Sequence, residues 1–84
     1  YPNPFNPSTR IPFQLPARGE VRMVICNALG EVVRTLYTGV AESGKHNVFW
    51  DGTADDGSVV PGGMYFYTLF TPSTRFTRKM LYLH

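Results

Sequence analysis

Apolar and polar positions alternate at period two along most of this chain, and each alternating run ends in a cluster of turn-forming residues. In 10–15, RIPFQL, the residues Ile11, Phe13 and Leu15 share one side while Arg10, Pro12 and Gln14 take the other. This predicts a half-buried strand. Pro12 has no N–H for a ladder, so the strand belongs at a sheet edge or at a bulge. The run 20–27, EVRMVICN, sets Val21, Met23 and Ile25 against Arg22, Val24 and Cys26. Its second side is also partly apolar, which points to a central strand or a covered outer face.

The tetrad Asn27-Ala28-Leu29-Gly30 reads as a turn, with Asn initiating it through its side-chain oxygen and Gly accepting φ > 0 at the exit. The returning strand, 31–38, breaks strict alternation at Val33 and Leu36, so a bulge or twist is expected between them. Val32, Val33 and Leu36 also fit helical spacing, but the run is too short for an isolated helix. A loop, 39–44, leads to the strand 45–51, KHNVFWD, in which Val48 and Trp50 share a side with His46. Trp50 is the sole Trp and the leading candidate for the core centre; an exposed Trp would instead suggest a sugar-stacking platform.

The segment 51–63, DGTADDGSVVPGG, reads as a long turn region. Asp51, Asp55 and Asp56 lie in it, and in Asp55-Asp56-Gly57 the Asp side chains suit the capping of backbone N–H groups. Calcium loops also combine Asp with Gly, but this spacing does not match the helix–loop–helix hand. In 64–70, MYFYTLF, both sides are apolar, which makes the strand central or leaves Phe66 exposed. A final strand, 75–83, carries Phe76, Arg78, Met80 and Tyr82 on one side and Thr77, Lys79, Leu81 and Leu83 on the other. Parity alone does not say which side is core. A seventh short strand has room in 58–61.

Six clear strands, no helix and regularly spaced turns predict a small all-β antiparallel sandwich of six or seven strands over 10–84. Residues 1–9, YPNPFNPST, precede it as a stiff, Pro-rich extended lead-in with Phe5 as an apolar plug. Eighty-four residues allow one core and no second domain. The chain starts at Tyr1, which suggests a piece of a longer protein. No apolar run approaches the ~20 residues of a membrane helix.

Charge and reactive groups narrow the function. A net charge of +2, spread along the chain, argues against nucleic-acid binding. Cys26 is the only cysteine, so no intrachain disulfide or thiolate zinc site is expected. No nucleophile elbow, phosphate loop or pair of His at metal spacing is present. The chain therefore reads as a non-enzyme with no catalytic residues, metal or cofactor.

The segments YPNPFNPSTRIPFQLP, VRMVICNALGEVVRTL, GKHNVFWDGTADDGSVVPGGMYFYTL and TRKMLYL together resemble the type A C-terminal sorting domains of the type IX (Por) secretion system. The resemblance extends to the related immunoglobulin-like domain of flagellar hook-capping proteins. It implies an immunoglobulin-like sandwich that directs an N-terminal cargo domain of the same chain across the outer membrane. The expected partners are outer-membrane secretion proteins, and the expected location is secreted or cell-surface, reached through the periplasm. Carried over onto this chain, the recognition residues would be Gly63, Tyr65, Tyr67, Lys79, Met80, Leu81, Tyr82 and Leu83. A terminal strand offers a free sheet edge, open to strand addition by a receptor or to a weak dimer. The alternative expectation is a structural or carbohydrate-binding sandwich module attached to a secreted enzyme or filament protein, favoured by exposure of Phe66, Tyr37 or Trp50.

Overall fold

Six strands form where the alternation predicts them, in a computed structural model that describes residues 8–83. They are β1 (Thr9–Leu15), β2 (Gly19–Asn27), β3 (Val32–Ala41), β4 (Gly44–Trp50), β5 (Gly63–Phe70) and β6 (Arg75–Tyr82). Strands β1 and β4 make a two-stranded sheet, and the other four pair in the order β3-β2-β5-β6. All four pairings are antiparallel. Strand β2 and its neighbour β5 are separated in sequence by β3, β4 and a loop, so the chain changes sheets twice between them.

The inward side chains of both sheets meet in one core. Ile11, Phe13, Leu15 and Trp50 come from the smaller sheet, and Val21, Met23, Ile25, Tyr65, Leu69 and Tyr82 from the larger. Trp50, Met23 and Ile25 are wholly buried. The result is the all-β antiparallel sandwich expected from the pattern, of the immunoglobulin-like form that the resemblance implies, with six strands. At 58–61 there is only an isolated bridge between Thr53 and Val59 in place of a seventh strand.

Local predictions hold where the chemistry is short-range. Asn27 Oδ1 accepts from the N–H groups of Leu29 and Glu31, both at 3.0 Å. Gly30 closes the turn at φ +86°. The register of β2 against β3 slips between Met23 and Val24 and again between Ile25 and Cys26, which leaves Leu36 and Val33 outside the pairing. Both packed toward the core as bulged residues explains their broken alternation. Strand β1 lies at an edge, with Pro12 opposite Asn47.

Two boundaries move. The loop expected at 39–44 is mostly strand: Gly39, at φ +140°, keeps the chain extended and Ala41 reaches the core. Thr9, expected in the lead-in, pairs with Trp50 in β1. The rest of that lead-in up to Pro7, and His84, lie outside the described residues.

Candidate interaction surface

The residues expected to form one recognition stretch fall into two environments, because consecutive residues of a strand face opposite ways. Tyr65 and Tyr82 are core residues, and Tyr67 and Met80 pack partly buried against the core. The Trp50 ring lies 5.3 Å from Tyr65 and 5.0 Å from Tyr82, centroid to centroid, and the two tyrosines are 6.3 Å apart. These separations are those of attractive aromatic pairs. Trp50 Nε1 donates to Thr53 O at 2.9 Å and Tyr65 Oη donates to Pro61 O at 2.6 Å, so the polar tips are satisfied. Burial, with Tyr82 nearby, raises the Tyr65 pKa above the usual phenol value. The Tyr82 ring lies so close to Gly52 that a Cβ there would overlap it. This cluster ties β6 and the 51–62 loop to the core; it is not a surface.

Lys79 and Leu81 face outward instead, and Leu81 and Leu83 are 60% and 67% exposed. Gly63 is opposite Tyr82 at the start of β5. On the same outer side, Phe66 pairs across to Lys79 and to Cys26, and Cys26 to Val32. Met64 pairs to Leu81. Thus an apolar strip crosses one end of the outer face and stops at the β6 edge. At the other end, the Arg22 guanidinium stacks 4.2 Å over the Phe70 ring. Val24 is buried on this outer side, between Thr35 and Thr68.

The two edges of the larger sheet are treated differently. Along β3, the aspartate loop lies against the edge: Asp55 N–H donates to Val33 O at 2.9 Å, and Asp55 Oδ1 accepts from Thr35 N–H at 3.0 Å. Arg34 Nη1 donates to Thr53 Oγ1 at 2.8 Å and to Ala54 O at 3.2 Å, which fixes the loop in place. Along β6, among the described residues, no strand lies beyond β5's partner edge. Arg75, Arg78 and Lys79 all lie on β6, and the ion pairs among the described residues, Arg18–Glu42 and Arg34–Asp55, involve none of them. The Arg78 guanidinium is on the inward side, 5.7 Å from the Phe76 ring centroid.

The aspartates of the loop work on the backbone. Asp51 Oδ1 accepts from the hydroxyl and N–H of Thr53, and Asp56 Oδ1 from the hydroxyl and N–H of Ser58. These bonds, the hydroxyls first, hold both carboxyls below their ordinary pKa. Sequence reasoning found the Asp56 cap but not the one at Asp51. It missed that Asp55 bonds a strand twenty residues away; the only signal was that DGTADDG holds three acids, one more than the two Asx turns use. His46 stacks on Phe13 at 4.9 Å and its Nε2 faces Glu42 O, a position at the sandwich rim.

The comparisons with known proteins agree with one another. A family model described as the FlgD Ig-like domain matches residues 5–72. The basal-body rod modification protein FlgD of Escherichia coli K12 is 43% identical over 49 residues, 58% of this chain and 21% of that protein. Its counterpart in Salmonella typhimurium is 42% identical over 55 residues, 66% of this chain and 23% of that protein. The chain thus spans under a quarter of the length of these relatives. Among solved structures, FlgD from P. aeruginosa superposes with a TM-score of 0.73 at 20% identity, covering 90% of this chain and 60% of that one, and shows the same fold.

These matches overturn the type IX sorting-domain assignment, and with it the secretion-system partners, the attached cargo and the secreted or cell-surface location. The alternative of a sugar-binding or other module on a secreted enzyme or filament protein also finds no support; Trp50, its candidate platform, is wholly buried. The expected weak edge dimer meets like charges on β6. The physical reason for the error is that NALGE, WDGTADDG and GGMYFY encode turns, caps and a buried aromatic strand. They report a sandwich, whichever assembly uses it. The family that matches is the one the sequence reading placed second, as the related domain: the chain belongs to the FlgD Ig-like domain family.

Proposed function

We propose that this domain is a non-catalytic structural module of a FlgD-type protein and serves in modification of the flagellar basal-body rod. The observation that carries this reading is the family match over β1 to β5, together with curated relatives named for that process. The chemistry of the fold fits a module that binds rather than reacts. Its core is filled by aromatic and aliphatic side chains. The loop carboxylates are engaged in capping, and the Ser58 hydroxyl is taken up in the Asp56 turn. Cys26 is half-buried in a strand between Val32 and Phe66.

The test is a domain exchange. The matching segment of the E. coli relative is replaced by this chain in a strain lacking the native gene product. Swimming in soft agar and intact basal bodies by electron microscopy are the expected result. A chimera that accumulates stably yet leaves cells without rods or hooks contradicts the assignment.

A further inference from the structure

Among the described residues, β6 is the last strand of the larger sheet beyond β5. Strand β3 is bonded at Val33 and Thr35 by Asp55. Strand β1 carries Pro12, which has no N–H to give. Strand β4, the other strand of the smaller sheet, is also an edge, but it carries a single Lys or Arg, Lys45. Beyond β6, among the described residues, the sheet simply stops.

The side chains of β6 specify what can pair there. Arg75 and Lys79 project from the outer side and Arg78 from the inner side, with no acidic partner among the described residues. Leu81 continues the outer apolar strip from Met64. A second copy pairing antiparallel through β6, centred on Arg78 or Lys79, would set like charges directly opposite. Cations on an edge strand, one of them directed inward, deter promiscuous pairing. The same cations stabilise a strand with carboxylates at the matching positions.

We infer that β6 is a docking edge for an extended acidic segment of a partner protein, added as a further strand beside Arg75–Tyr82. Carboxylates of the segment lie against Arg75, Arg78 and Lys79, and an apolar residue lies against Leu81. Main-chain hydrogen bonds hold the segment, and the charges select it. This inference rests on reading the domain as a binding module, and it adds the site and the chemistry of the partner.

The experiment titrates the 84-residue chain, labelled with 15N, with a short synthetic peptide alternating Glu and Thr and ending in Leu, in which one Thr is replaced by Glu so that carboxylates reach both sides of the strand. Two controls accompany it: a Gln-for-Glu version, and a version with alternate backbone nitrogens methylated. The expected result is amide shifts concentrated in Arg75–Tyr82, with binding weakened about tenfold or more by either control. The same loss is expected for Lys79→Gln, and a larger one for Arg78→Glu combined with Lys79→Glu, with the β2 amides unmoved to report an intact fold. Absence of shifts at millimolar peptide, equal binding of the methylated peptide, or equal binding of the Gln peptide would overturn it. If the domain exchange restores motility while the peptide fails, the docking edge is wrong and the assignment to rod modification stands.

Discussion

Strands β3 and β6 bound the same sheet, yet a loop seals part of one, at Val33 and Thr35, while among the described residues no strand lies beyond the other. At β3 a carboxylate and an N–H of Asp55 take up the outward groups of Thr35 and Val33. At β6 the protection is charge: Arg75, Arg78 and Lys79 stand where a strand would pair. Hydrogen bonding by a loop removes an edge for every partner. Charge removes it only for partners that are neutral or basic. The difference teaches that one sheet can protect an edge by hydrogen bonding on one side and by charge on the other.

The largest effect comes from attacking what holds β6 from within. Trp50→Ala removes the ring that Tyr65 and Tyr82 pack against and should cost about 3–5 kcal/mol, read by chemical denaturation. A small loss would mean that Trp50 is not the centre of the core. Gly52→Ala follows. It forces a Cβ into the Tyr82 ring and into φ +82°, at a cost of at least about 2 kcal/mol. A neutral result would mean that Tyr82 is not seated as described.

Asp55→Ala should destabilise by about 1 kcal/mol and make the Thr35 amide exchange rapidly. It should also promote self-association through the unsealed β3 edge, measurable by sedimentation. Asp55→Asn keeps an acceptor oxygen and should lose less. If both variants behave like the parent, β3 is not sealed by this residue.

The smallest effect is a pH response of the same loop. Asp51 and Asp56 have folded pKa values below the ordinary carboxylate value. Their stabilising contribution is therefore complete above that ordinary value, about 4, and is lost as the pH falls through the lower folded values. Amide protection at Thr53 and Ser58 should fall over that acid range, with the β2 amides unaffected. Protection that grows on acidification would reverse the sign and reject the caps.

What could be read from sequence divides along the same physical line. Period-two alternation made Ile11, Phe13, Leu15, Val21, Met23, Ile25 and Trp50 legible as core, because each strand's faces are set by its own residues. Asn27 and Gly30 were legible because a turn is decided by neighbours. The parity of β6 was not, since both its sides carry apolar residues; only packing against Trp50 makes the Tyr82 side the inner one. The role of Asp55 was hidden because its partner Thr35 is twenty positions away. The biological setting was the least legible, because residues such as Gly63, Tyr65 and Tyr67 are demanded by the sandwich itself and serve any protein that contains it.

The contrast between the two edges is tested most directly by amide hydrogen exchange on the 84-residue chain near neutral pH. Thr35 should exchange slowly, at a rate comparable with core amides of β2, and alternate amides of β6 should exchange as fast as those in turns. Rapid exchange at Thr35, or uniform protection along β6, would contradict the account.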